Sequence, residues 1–396
     1  MTSSNWKSEM LGSVATLQRG YDLPYRLRKP GPVPIVTSSG IEDTHREAMV
    51  TGPGVVTGRY GTIGKVFFVP GDFWPHNTTL YVSNFHGNDP LFISYLLKTV
   101  DFHSHSGKTG VPGINRNDLH EIEVCIPPSK VEQQEIAQVL SDADALIESL
   151  ERLLAKKHHL RQGAIQELLT GQRRLPGFEV KSTYKQTELG LIPEDWNLMP
   201  MIRAVGAYID YRGRTPKKLG LSWGGGDILA LSANNVKMGS INLDQEAYFG
   251  SEELYRKWMV QGKCEPGDVL LTMEAPLGNV AQVPDSKKYI LSQRVLLIKP
   301  KDWLLKDFLA QYMKGPLFQK QLQLNSTGST AKGIQRRKLD QVPIVIPPTK
   351  VEQEAITSIL SDMDGEIAAL EAKLVKAQHL NQGMMQELLS GRTRLV

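Results

Sequence analysis

The stretch IPPSKVEQQEIAQVLSDADALIESLERLLAKKHHLRQGAIQELLTGQRRL, residues 126–175, returns at 346–395 as IPPTKVEQEAITSILSDMDGEIAALEAKLVKAQHLNQGMMQELLSGRTRL. The copies align without a gap at an offset of 220 residues, so that Pro127 meets Pro347 and Gly171 meets Gly391. Self-similarity on this scale divides the chain into two like halves before any secondary structure is assigned. Each copy reads as one long helix with both ends marked. The Pro-Pro pair favours extended backbone and keeps helix from running in from upstream. Ser129 with Glu132, and Thr349 with Glu352, have capping-box spacing, in which two orphan backbone donors are satisfied reciprocally. Gly171 and Gly391 suit the left-handed closing position. Gly163 and Gly383, inside the pattern, each cost roughly 1 kcal/mol relative to Ala and mark a kink or a close helix approach.

Between these marks the apolar residues keep helical spacing, with Ile136, Leu140, Ile147, Leu150 and Leu154 answered by Ile356, Leu360, Ile367, Leu370 and Leu374. A stripe this long and narrow calls for a partner helix. Each copy is acidic in its first half (Glu132, Glu135, Asp142, Asp144) and basic in its second (Lys156, Lys157, Arg161, Arg173, Arg174), and the second copy repeats the gradient. Antiparallel pairing sets acid against base and opposes the helix dipoles. The alternative is that these charges are only solvated faces suited to each helix's own dipole. Leu140, Ile147 and Leu154 fall outside a strict two-helix seam and offer contacts to further helices from a partner.

Outward from the repeats lie two non-repeated regions with one common order. Residues 1–125 carry short β-rich runs (VPIVTSS, GVVTGRYGTIGKVFFVPG, TTLYVSNF), a helical piece PLFISYLLKTVDF, a loop ending in Gly113-Ile114, and a closing strand EIEVCI. Residues 196–345 repeat that plan after a polar connector at 172–195, with a loop ending in Gly333-Ile334 and the strand QVPIVI. The fold class expected is α+β, two pseudo-symmetric β-rich domains separated by two long antiparallel coiled-coil helices at 126–171 and 346–396. A helix of about 40 residues is about 60 Å long and would hold two heads apart, in a plan whose halves could be circularly permuted. Two unlike heads on a ruler suit two unlike half-sites on DNA.

Composition is that of an ordinary soluble protein, 40% hydrophobic and 22% charged, with a formal net charge of +4 that permits a polyanion partner without demanding one. Cys125 and Cys264 make no metal or redox spacing, the N-terminal MTSSNWKSEML lacks the apolar core of a signal peptide, and no apolar run reaches spanning length. A cytoplasmic protein with no membrane association is the expectation. The search for chemistry finds little. GRYGTIGKV (58–66) has Arg59 where a phosphate loop needs Gly and Val66 where it needs Ser or Thr, so it reads as a turn. Pro284-Asp285 with Lys287 lacks the paired acids of a two-metal nuclease. His103 and His105 have no further ligand nearby, and His158-His159, with His379 repeating the second, fit helix packing. No catalytic and no metal-binding residue is assigned.

The chain resembles the specificity subunits of type I restriction–modification systems. The resemblance is carried by the repeated IPP-x-K-V-E-Q…LSD-x-D…QELL-[TS]-G-x-x-RL segments, by TELG-x-IPEDW before the second region, and by the G-I-[NQ] turn before each closing strand. It implies a non-catalytic subunit in which each β-rich domain reads one part of a split, asymmetric site in double-stranded DNA. It further implies that the helices set the gap and recruit two methyltransferase subunits and the motor–nuclease subunits. S-adenosylmethionine, ATP and magnesium would then belong to those partners, and this chain would hold no cofactor. No base-contacting residue transfers with the resemblance, because such domains vary there. By residue type and loop position the DNA-binding candidates are Arg26, Arg28, Lys29, Lys65, Lys108, Arg116, Arg212, Arg214, Lys217, Lys218, Lys332, Arg336 and Arg337, with Lys338 beside the last two. Asn234, Asn235 and Gln293 could pair with adenine or hold turns and strands. A stand-alone DNA-binding regulator and a protein-binding scaffold are the other classes that this plan admits.

Overall fold

The computed structural model describes residues 6–106, 113–178, 183–243, 248–328 and 332–395. The chain divides into two compact units, one made of the chain up to Leu153 together with the chain from Leu370, the other of Leu154–Ala369. The division falls inside the two long helices, Lys130–Leu168 and Lys350–Leu388.

In unit one the strands are β1 (Lys7–Met10), β2 (Thr16–Arg19), β3 (Val33–Thr37), β4 (Gly40–His45), β5 (Gly54–Gly58), β6 (Val66–Val69), β7 (Trp74–Pro75), β8 (Thr79–Asn84) and β9 (Glu123–Ile126). They form an antiparallel sheet in the order β2-β8-β5-β6, a second sheet β4-β3-β7 whose β3–β7 pair is parallel, and a β1-β9 ribbon. The central strand β5 is buried along its whole length, which is why Val55 and Val56 both read as core. Helix Pro90–Lys98 starts where Asp89 accepts the Phe92 N–H at 3.0 Å, with proline at the first helical position. Its Phe92, Ile93, Leu96 and Leu97 pack with Leu17, Val55 and Leu80, and Ile136 and Leu140 join them from the first long helix, as do Leu388 and Leu389 from the end of the second.

Unit two repeats this topology. Its strands are β10 (Tyr184–Thr187), β11 (Gly190–Pro193), β12 (Asn197–Pro200), β13 (Val205–Asp210), β14 (Ile228–Leu231), β15 (Tyr248–Gly250), β16 (Val269–Met273), β17 (Leu277–Gln282), β18 (Tyr289–Leu291), β19 (Val295–Pro300) and β20 (Pro343–Ile346). The sheets run β13-β19-β16-β17 and β15-β14-β18, again with one parallel pair, β14–β18, beside a β12-β20 ribbon and a β10-β11 hairpin. Helix Lys306–Lys314 takes the place of Pro90–Lys98, and Ile165, Leu168, Ile356 and Leu360 of the long helices enter its core. The α+β class and the two β-rich parts expected from sequence are both present.

The pairing of the long helices is antiparallel within each unit. In unit two, Lys157, Arg161 and Arg174 meet Glu366, Asp364 and Glu352 in that falling order. In unit one, Glu132 and Asp144 meet Arg394 and Asn381. The charge gradient therefore joins the helices and is more than a set of solvated faces.

Both Gly171 (φ +71°) and Gly391 (φ +69°) close their helices in the left-handed region. Gly163 and Gly383 behave otherwise than expected: a Cβ at either position would meet no atom within 4 Å among the described residues, so they mark no close approach of helices. The capping box is also only half made. Ser129 and Thr349 accept the N–H of Glu132 and Glu352, but those glutamates do not reach back. They are buried, and each is held by a guanidinium instead, Arg394 for Glu132 and Arg174 for Glu352.

Candidate nucleic-acid interface and helix seam

The repeated Val-Glu-Gln tripeptide shows how the sequence fastens a β-rich domain to a helix. Gln133 is buried, donates to the Pro127 carbonyl at 3.0 Å and accepts the Asp89 N–H at 2.8 Å. Gln353 does the same with Pro347 at 3.3 Å and the Leu305 N–H at 2.9 Å. One amide thus ties the start of a long helix to the start of its own domain's helix, satisfying groups that burial would otherwise leave unpaired. Beside it, Glu132 accepts from Trp6 Nε1 at 3.3 Å and from both arms of Arg394 at 2.9 Å.

Polar residues also sit in the seam. Asp144 accepts from Asn381 Nδ2 at 2.8 Å and from the Tyr95 hydroxyl at 2.8 Å in unit one. At the same place in unit two, Asp364 is paired with Arg161 and accepts from Gln311 Nε2 at 3.4 Å. Burial holds Lys314, which lies 3.9 Å from Asp364, below the ordinary lysine pKa, with Asp364 opposing that shift. Of the apolar residues singled out from sequence, Ile136, Leu140, Leu150, Ile356, Leu360 and Ile367 are buried, whereas Ile147, Leu154, Leu370 and Leu374 are half-buried. Leu140, offered above as a contact for a partner's helix, is instead enclosed by its own unit's core. The large apolar residues that the long helices leave exposed are Val131, Leu146, Leu153 and Leu160 on the first and Val351, Ile359, Val375 and Leu380 on the second.

The basic candidates divide by what holds them. Arg28 reaches Asp43 at 3.0 Å, Arg212 pairs with Asp210, and Lys218 Nζ donates to the Gly213 carbonyl. Arg214 donates to the Lys257 carbonyl, Lys332 to Gln323, and Arg336 lies over the Tyr208 ring while paired with Asp340. Arg26, Lys29, Lys65, Arg116, Lys217, Arg337 and Lys338 are exposed, with no side-chain partner among the described residues. Lys108 lies outside the described residues. The amides divide as well. Asn235 is fully buried, its Oδ1 accepting from Ser232 N and Oγ, and Gln293 donates to the Arg214 carbonyl at 2.7 Å. Both are structural. The exposed Asn234 side-chain amide has no partner among the described residues, its backbone N–H donating to Ser232 Oγ at 3.3 Å.

One address recurs in both units and was not singled out from sequence. At the end of β5, Arg59 donates its N–H to the Thr78 carbonyl at 2.8 Å, and its own carbonyl accepts the Ile114 N–H at 3.0 Å. At the end of β16, Met273 makes the same two bonds, to Arg294 at 2.8 Å and from Ile334 at 3.0 Å. The next residue, Tyr60 in one unit and Glu274 in the other, bridges to Gly113 or Gly333. The Gly-Ile turn exists for this crossing: a Cβ on Gly113 would stand 2.3 Å from the Tyr60 ring, and one on Gly333 would stand 3.1 Å from Glu274 Cβ. On this shared frame the side chains differ. Unit one presents Tyr60 with Arg59 over its ring at 4.3 Å, and unit two presents the ion pair Arg294–Glu274 at 3.1 Å. Among the described residues, no group of three or more His, Cys, Asp or Glu side chains could hold a metal ion, and no helix is long and apolar enough to cross a membrane.

Two units of one topology, each fastened to both repeated helices and each presenting different side chains on the same frame, define a duplicated domain-and-helix protein. A family model described as the type I restriction modification DNA specificity domain matches residues 3–156 and 202–378, and the chain belongs to that family, the specificity subunits of type I restriction–modification systems. Curated relatives include the Type I restriction enzyme MjaVIII specificity subunit of Methanocaldococcus jannaschii, 26% identical over 77% of this chain and 70% of the relative. The Putative type I restriction enzyme MjaX specificity subunit of the same organism is 26% identical over 84% of this chain and 76% of the relative. Among solved structures, the Type-I restriction-modification system S subunit from M. genitalium superposes with a TM-score of 0.65 at 14% identity, over 97% of this chain and 96% of that one, a likeness of fold.

Proposed function

We propose that this chain is the non-catalytic DNA-reading subunit of a type I complex, each β-rich unit reading one part of a bipartite, asymmetric site. The observation that carries this reading is the recurrent address at the ends of β5 and β16, where one backbone frame displays Tyr60 with Arg59 in one unit and Glu274 with Arg294 in the other. Reading two unlike half-sites with one fold calls for side chains that differ on supports that do not. The free cations Arg26, Lys29, Lys65, Arg116, Lys217 and Arg337 serve as phosphate contacts, which position a protein on the duplex without reading it. The antiparallel helices set the gap between the parts of the site. Their exposed Leu146, Leu153, Leu160 and Leu380 receive two methyltransferase subunits, and the motor–nuclease subunits join through these. S-adenosylmethionine, ATP and magnesium act in those partners, in the cytoplasm. Mapping of N6-methyladenine in host DNA with the gene present and deleted tests the reading. A split motif that vanishes on deletion supports it, and the absence of any gene-dependent motif while the methyltransferase is expressed refutes it.

A further inference from the structure

Unit two holds a cavity of about 390 Å³ walled by Trp223, Tyr248 and Trp258, with Gln293 and Arg294 among its lining residues. The aromatic wall is continuous, Trp223 lying 5.5 Å from Trp258 and 5.7 Å from Tyr248 between ring centroids. Arg294 adopts φ +71°, a left-handed conformation that is rare for a side chain of this size and that persists only where its surroundings impose it. The surroundings are in place. The Met273 N–H grips the Arg294 carbonyl at 2.8 Å, and Gln293 donates to the Arg214 carbonyl at 2.7 Å. Glu274 is fixed from the other side by its bridge to Gly333. The ion pair that results is half exposed on both members, 51% and 50%, and a pair so exposed adds little to stability. A strained backbone that presents a weakly stabilising, accessible ion pair at an aromatic-walled cavity is better explained by something the pair binds.

On the reading that unit two recognises DNA, we infer that Arg294 and Glu274 together read one G·C base pair in the major groove. Arginine offers paired donors to guanine O6 and N7, and a carboxylate accepts from the N4 amino group of cytosine. The contact between Arg294 Nε and Glu274 Oε1 holds donor and acceptor side by side, as the two edges of a single base pair require, and leaves the terminal guanidinium nitrogens for guanine. An A·T pair offers no second acceptor to the arginine at that edge and no cytosine amino group to the carboxylate. The corresponding place in unit one carries Tyr60 and Thr78, so the contact belongs to one half-site only.

The test uses the full chain with its methyltransferase subunits, mapping N6-methyladenine in cells that express wild type or Arg294→Ala, followed by competition binding of the purified complexes. The expected result is a wild-type motif with an invariant G·C pair in one half, at which Arg294→Ala lowers discrimination against A·T by about ten- to a hundredfold. The other half-site and the gap stay as they were. If the wild-type motif is present and Arg294→Ala preserves it at every position, this inference falls while the proposed function stands. If wild type directs no motif, both fall. Should Arg294→Ala direct no methylation at all, Arg294→Gln decides. Glutamine keeps a polar side chain but presents one donor and one acceptor in place of paired donors, so a co-eluting complex with relaxed or altered preference at that one base pair supports the inference, and one with wild-type preference overturns it.

Discussion

Replacing Arg174 by Ala removes the only cation that faces Glu352 among the described residues, and the consequence can be worked out from burial. The side chains are 7% and 2% exposed, so neither charge is well hydrated in the folded state. Arg174 also binds Asp195 at 3.0 Å and lies over Trp196. Taking away one member of a buried pair leaves the other uncompensated, at about 3–5 kcal/mol. Burial already raises the Glu352 carboxyl above its ordinary value, with Arg174 opposing that rise. Without the guanidinium the pKa rises further. A carboxyl whose folded pKa exceeds its unfolded one loses stability as pH climbs through the interval between them, so the deficit of Arg174→Ala is largest at neutral pH and shrinks toward pH 5. Arg394 on Glu132 is the internal control, because it is 37% exposed where Arg174 is 7% exposed. Arg394→Ala therefore loses less. The assay is hydrogen exchange of the segments around each glutamate, at pH 5 and pH 7.5, which resolves the two units separately. Equal losses from the two substitutions would refute the reasoning, as would a failure of Glu352→Gln to restore protection in the Arg174→Ala protein.

Gly163→Ala and Gly383→Ala should each stabilise the protein by roughly 0.5–1 kcal/mol, since a methyl group meets nothing and helix propensity improves; a lowered melting temperature would contradict this. On the proposed reading, Gly113→Ala should drive the Tyr60 ring from its place and disturb one half-site while leaving the other readable, which methylation mapping would register. Unit one should weaken as pH falls below about 6.5. Burial depresses both His120 and His76, and His120 Nε2 accepts the Leu17 N–H at 2.9 Å, a bond that protonation destroys. His120→Ala, which leaves that N–H unpaired, should cost about 1–3 kcal/mol and remove part of the acid sensitivity in exchange or melting experiments.

The repeat made much of this architecture legible. Helical extent, closing glycines and antiparallel sense all follow from periodicity and charge, because a long helix is governed by local spacing and by one face. The use of each charge was less visible. Glu132 and Glu352 look like capping-box residues, and only the folded chain brings Arg394 and Arg174 within reach of them. The surroundings of the basic candidates were the least legible. Arg336 and Arg337 are neighbours of the same type, yet one lies over Tyr208 and the other is free, a difference set by a residue on a distant strand. Arg294 carried no sequence signal, since its interest comes from a left-handed backbone that no local motif announces. The Gly-Ile turns were visible as a repeat, while their reason, the crossing of Tyr60 and Glu274, is tertiary.

Unit one is built from two separated pieces of chain, and that discontinuity has a consequence for biosynthesis. Unit two is a single continuous run and can consolidate as it leaves the ribosome. Unit one cannot, because Leu388 and Leu389, which close over Ile136 and Leu140, and Arg394, which neutralises Glu132, are made only after all of unit two. At about 5–20 residues per second, the nascent first unit waits roughly 10–50 s with part of its apolar stripe uncovered. Throughout that interval it is the earlier-made half of the protein that depends on a chaperone or on speed, and a ribosome that stalls late releases a chain whose second unit is finished and whose first is not.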